Sequence, residues 1–174
     1  MRTTKAKRLT GRGDILTKAL MVMTALTLDI VFVGILIFAS IYDIEHYVLP
    51  DEAGLALAGL GMISAFVTDT LQPLDAVVGA ALGGSILFAT RLIFSLLRHE
   101  EGLGLGDVKW FAAGGLWIGW SGIGPALMIA TVAGLVAYGL RAIRTRRFDR
   151  TTLLPFGPFL SFGIASVHLM LRWS

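Results

Sequence analysis

The sequence predicts an all-α fold: a polytopic membrane bundle of about six transmembrane helices in one domain over residues 1–174. Three observations predict it. Hydrophobic residues make up 55% of the 174 positions and charged residues only 16%, against about 25% charged in an ordinary soluble domain. The mean hydropathy of +0.76 is more apolar surface than a water-soluble globule of this size can hide. The apolar residues also fall into runs near the ~20 residues that a hydrocarbon core of about 30 Å requires, with short polar breaks between them. These figures exclude a disordered chain, a nucleic-acid-binding domain and a disulfide scaffold. The chain has no Cys, so thiolate chemistry and Cys-ligated zinc or iron–sulfur sites are excluded too.

Residues 1–18 form a basic tail carrying Arg2, Lys5, Lys7, Arg8, Arg12 and Lys18. The apolar run after it is too long for a signal-peptide core, so a first span is expected over about 20–42, with Asp29 inside it. In the polar turn 43–52, Pro50 breaks the helix and Asp51 is placed to cap the next one. Spans are then expected over about 53–68 and 74–97, with Pro73 in the turn between them. Arg91, near the end of the third span, is read as snorkelling toward the headgroups. A loop over 98–109 follows. No residue from Trp110 to Leu140 is charged, which is too long for one comfortable span. Turn chemistry at Ser121–Pro125 splits it into a fourth span of about 107–120 and a fifth of about 123–143. A basic loop over 141–150 leads to a sixth span of about 153–171. Gly and Ala are dense in the middle spans, where small residues allow close approach in lipid.

Two spans separate the 43–52 loop from the 98–109 loop, and an even number places both on one membrane face. The loop before Pro155 lies there too. Asp43, Asp107 and the PFGP segment can therefore meet at one end of the bundle. The fourth span, at 1.5 Å per residue, is only about 21 Å long, so Asp107 sits in a recess at its start. Gly104 and Gly106 allow close backbone approach beside it. An ionisable group at membrane depth is a functional candidate by default. Two carboxylates in one recess share a proton, and a base beside an acid can activate water and protonate a leaving amine.

Three segments carry a family resemblance. SIYDIEHYVLPDEAGLAL, residues 40–57, resembles the first-aspartate segment of type IV prepilin peptidases, in which Pro and Asp or Asn follow the Asp at seven and eight residues. GLGLGDVKWFAAGGLWIGW is similar to their GxGD segment, and LPFGPFLSFG to the opening of their last span. The resemblance covers about residues 30–165. It implies an integral-membrane aspartic endopeptidase of the inner (cytoplasmic) membrane, active at the cytoplasmic face, that cuts basic leaders from prepilins or pseudopilins just after a Gly. It implies Asp43 and Asp107 as the catalytic pair, with Gly104 and Gly106 shaping the second aspartate's loop. Supporting positions are Lys109, Asp51, Pro155 and Gly157. It implies no cofactor and no metal for the peptidase reaction. Bifunctional members also methylate the new terminus, using an extra region with Cys pairs. This chain resembles the short, peptidase-only members that serve Flp/Tad-type or archaeal-type pili within the type IV pilus group. Membrane lipid is the expected surrounding, nucleic acid is not a partner, and the oligomeric state is open.

Other readings compete. Asp43 alone reads as an interfacial residue, Asp107 alone as a first-turn acid favoured by the helix dipole. Lys109 fits either a snorkelling residue or a partner of Asp107. Asp29 is expected to pair with a polar group across the bundle. His46 and His99 read as wetted loop residues, and no HExxH is present. Gly119-Trp120-Ser121-Gly122 matches the GxSG of rhomboid serine proteases, with His168 as the available base. A small transporter or channel subunit with a carboxylate proton path is the non-enzyme alternative. With six spans, seven Lys and Arg lie on each face, Arg91 aside, so charge does not set the orientation; the resemblance does. Asp43, Glu45, Asp51, Glu52, Glu100, Glu101 and Asp107, the acids of the first two active-face loops, are expected to form a rim that attracts a basic leader.

Overall fold

The computed structural model of the protein describes residues 2–68, 70–98, 103–145 and 155–173, with side chains described from residue 17 on and the backbone alone at 98 and 145. Five helices hold nearly all of them: α1 (Arg2–His46), α2 (Asp51–Val67), α3 (Pro73–Arg98), α4 (Leu105–Thr145) and α5 (Gly157–Arg172). No strand occurs among the described residues. Among the described residues three stretches are long and apolar enough to cross a membrane: Thr17–His46, Pro73–Leu97 and Leu105–Arg144.

Among the described residues the count is five helices rather than the expected six. The expected turn at 121–125 is helical, and the only non-helical residue within α4 is Gly119, at φ 64° and ψ 178°. A straight helix of 41 residues would be about 62 Å long, twice the thickness of a hydrocarbon core. The neighbours of α4 show that it is not straight. Trp110 and Trp117 meet Ser161 and His168, so the arm before Gly119 runs parallel to α5. Beyond Gly119 the order inverts: Gly122 faces Val167, and Ala126 and Ala130 face Gly163. On α3, Gly83 faces Phe111 and Ile123 together, and Gly79 faces both Gly115 and Gly119. Two antiparallel arms thus fold about Gly119, whose positive φ only glycine adopts readily.

The other boundaries follow local chemistry. The helix of α1 continues back through the basic tail and forward to His46, so Asp43 lies in its last turn and not in a loop. His46 is likewise helical; it is exposed and stacks on Tyr42 at 4.2 Å between ring centres. Pro50 is the N-cap of α2, and Asp51, expected as the cap, is its first residue with no side-chain cap bond. Helix α5 starts at Gly157, later than the expected 153, with Pro158 in the first turn where its missing N–H costs nothing.

Large side chains from four helices fill the centre: Phe32, Leu57, Trp110, Phe111, Ile118, Leu160 and Ile164 are fully buried. Outward apolar residues such as Leu20, Ile30, Phe38, Leu97 and Ile143 are exposed, which suits lipid contact. Between α3 and α4 the contact is backbone to backbone. A Cβ on Gly115 would lie 2.5 Å from the Gly79 carbonyl oxygen, and one on Gly79 would lie 2.5 Å from the Gly115 oxygen. Gly115→Ala must push the helices apart and is expected to destabilise by about 1–3 kcal/mol. Thermal unfolding in detergent measures this, and an unchanged midpoint would remove the close approach from the account.

Candidate active site

Three helix ends converge at one end of the bundle. Asp43, in the last turn of α1, is only 4% exposed. Its Oδ2 accepts a hydrogen bond of 3.0 Å from the Gly157 amide, the first residue of α5. Unpaired amides and the positive dipole end make a helix N-terminus a natural seat for a carboxylate. Gly157 is required there by space: a Cβ would lie 2.7 Å from Asp43 Oδ2 and 3.0 Å from Leu49 Cδ2. Asp107 lies in the first turn of α4, beside Gly104 and within electrostatic reach of Asp43. A Cβ on Gly104 would stand 3.3 Å from Asp107 Oδ2.

Leu49 links the two carboxylates. It is 6% exposed, its Cβ lies against Gly106, and its Cδ2 faces Gly157. The turn that brings it there starts at Tyr47, at φ 56°, whose amide donates to the Asp43 carbonyl at 2.8 Å. This left-handed residue closes α1 and turns the chain inward.

The remaining site residues spread outward. Lys109 does not reach Asp107; its Nζ donates to both oxygens of Asp51, at 2.9 and 3.0 Å, in a pair that is more than half exposed. An exposed pair of this kind contributes little stability, about 0–1 kcal/mol, but it ties the start of α2 to the start of α4. Both residues also line an apolar cavity of about 390 Å³ formed with Leu49, Leu55, Gly106 and Trp110. Arg91, expected to snorkel, donates to the Leu103 carbonyl instead and so anchors the approach to Gly104. Pro155 is half-buried just ahead of α5. Glu45 and Glu52 are exposed; Glu100, Glu101 and His99 lie outside the described residues. Among the described residues no cluster of three metal-capable side chains occurs.

The serine–histidine alternative has no geometric support. Ser121 is exposed, while both ring nitrogens of the buried His168 are occupied. Nε2 donates to Asp29 Oδ1 at 3.0 Å, and Nδ1 lies 3.3 Å from the Trp117 carbonyl oxygen. Asp29 thus finds the polar partners that its mid-span position demanded. Sequence reasoning missed Leu49, which carries no chemistry-bearing group, and the pairing of Asp51 with Lys109. Opposite charge beside two motif segments was the available signal for the pair, yet 58 residues separate them.

Residues 30–139, which contain both aspartates, match the model of the type IV leader peptidase family. A "Prepilin leader peptidase/N-methyltransferase" of Aeromonas salmonicida (strain A449) is 30% identical over 158 residues, 86% of this chain and 54% of the relative. A "Type 4 prepilin-like proteins leader peptide-processing enzyme" of Escherichia coli O78:H11 is 39% identical over 138 residues, 77% of this chain and 48% of the relative. A "Prepilin leader peptidase/N-methyltransferase" of Xanthomonas campestris is 36% identical over 128 residues, 74% and 44% respectively. The chain spans about half the length of these curated relatives. No solved structure matches it. Its three membrane-length helices, together with these relatives, make it a multi-pass membrane protein. On the family match and these identities, the chain belongs to the type IV leader peptidase family.

Proposed function

We propose that the protein is an integral-membrane aspartic endopeptidase that cleaves the leader from prepilin-like substrates. One observation carries the reading: two carboxylates from distant parts of the chain come together at one end of the bundle, Asp43 on the Gly157 amide and Asp107 beside Gly104. One carboxylate of the pair takes a proton from a water, and the oxygen attacks the scissile carbonyl. The other gives its proton to the amide nitrogen as the C–N bond breaks. The relatives are a leader peptidase and a leader peptide-processing enzyme by name, which favours leader cleavage as the reaction. Both α4 arms serve as crossing segments in this reading, giving six spans, with the aspartate end at the cytoplasmic face of the inner membrane. The exposed Glu45 and Glu52 lie close to Asp43 and Asp51 in sequence and suit a basic leader. The apolar cavity lined by Leu55 and Trp110 suits an apolar side chain of the substrate.

Co-expression with a prepilin tests the proposal: the substrate should shorten by its leader, and an unshortened substrate would argue against it. The same assay separates the rivals. Ser121→Ala is expected to retain wild-type cleavage, because Ser121 is exposed and His168 is committed elsewhere. A loss would revive the serine-protease reading. A transporter would leave the substrate at full length in every case.

A further inference from the structure

Asp29, His168 and Arg172 form a second polar cluster, far from the recess. Asp29 Oδ1 accepts from His168 Nε2 at 3.0 Å, and Oδ2 accepts from Arg172 Nε at 2.9 Å. Arg172 Nη1 also donates to Thr70 Oγ1 at 3.1 Å, in the turn between α2 and α3. His168 is wedged between Phe32 and Trp117, at centroid distances of 4.6 and 5.5 Å. Nothing in the proposed reaction uses these groups.

The register of α1 gives them a role. Its inward stripe runs Asp29, Phe32, Leu36, Ala39 and Asp43, at spacings of three and four residues. Asp29 and Asp43 are the polar ends of this stripe, about 21 Å apart at 1.5 Å per residue. On α5, Gly157 and Arg172 are about 22 Å apart by the same rise. The two helices run antiparallel and are joined by polar contacts at both ends: Asp43 to Gly157, and Asp29 to His168 and Arg172. Between those ends the contact is mainly apolar: Ser40 bonds back to the Leu36 carbonyl and Ser161 accepts from Trp110, so neither joins the two helices. In lipid, apolar contact alone resists rolling or sliding weakly, because lipid tails satisfy the same surfaces.

We infer that Asp29, His168 and Arg172 are positioning residues: a clamp at the far end of α1 that sets the roll of the helix and thereby the seat of Asp43 against the Gly157 amide. The inference rests on the reading of Asp43 as one of the reacting pair. The test uses the full chain in nanodiscs, with cleavage kinetics on a leader-bearing peptide and hydrogen exchange at Gly157. Asp29→Leu should lower kcat by about 10²-fold, as a displaced reacting group does, and change KM by less than about twofold. Exchange at Gly157 should speed by about tenfold while α3 and the first arm of α4 keep their protection. Arg172→Ala should shift both readouts in the same direction, and Arg172→Lys should restore them. These two variants carry the test if Asp29→Leu does not accumulate. Unchanged exchange at Gly157, or an equal rise throughout α3 and α4, would overturn the clamp. If the wild-type chain cleaves nothing, the reading of the aspartate pair fails, and exchange at Gly157 still decides the clamp.

Discussion

Asp43→Asn and Asp107→Asn are each expected to lower leader cleavage by about 10²–10⁴-fold or more, the range that a positioned acid or base supplies. The substitution keeps shape and removes the ionisable proton. A carboxamide in place of the Asp43 carboxylate would still offer a carbonyl oxygen to the Gly157 amide, so the junction of α1 and α5 survives. Asp107→Asn likewise keeps the size of the side chain, so its packing beside Gly104 survives. Both variants should therefore insert and unfold like the wild type while failing to shorten a co-expressed prepilin. Because the two groups act on one water and one peptide bond, the double variant should be scarcely worse than either single. Near-wild-type cleavage by either single variant would remove that residue from the mechanism. A multiplicative loss in the double variant would mean that the two act independently.

The sequence disclosed the elements of this site better than the bonds that assemble it. Apolar runs and the Pro breaks located α2 and α3 within a few residues, because bilayer thickness and proline geometry act locally. The aspartates were legible because charge is expensive in an apolar chain. The break in α4 was displaced by two residues or more: Ser121–Pro125 has turn composition, but the reversal uses the single positive φ of Gly119, and no propensity distinguishes it from its neighbouring glycines. The partners of Asp51 and Arg91 were also out of reach. Each bond joins elements whose relative rotation is set by packing, such as the approach of Gly79 to Gly115. Leu49 looks like any other leucine until its neighbours Gly106 and Gly157 are placed around it.

Gly157→Ala is expected to be the most damaging substitution of an uncharged residue at this end of the bundle. The added methyl would stand 2.7 Å from Asp43 Oδ2, 3.1 Å from its Cγ and 3.0 Å from Leu49 Cδ2. No rotamer removes a Cβ, so the carboxylate or the N-terminus of α5 must move. Movement by a few tenths of an ångström lengthens the 3.0 Å amide bond and shifts Asp43 relative to Asp107. Misplacement of a reacting group on the scale of 1 Å costs about 10²-fold, so kcat should fall by about 10–10²-fold with KM less affected. Gly104→Ala meets Asp107 Oδ2 at the longer distance of 3.3 Å and should cost less. Gly59→Ala, with nothing within 4 Å, should leave kcat and KM unchanged. The comparison of the three reads geometry and not glycine content: a loss graded 157, 104, 59 follows the distances. Full activity in Gly157→Ala would show that Asp43 works from another seat, and the amide of α5 would then have no part in holding it.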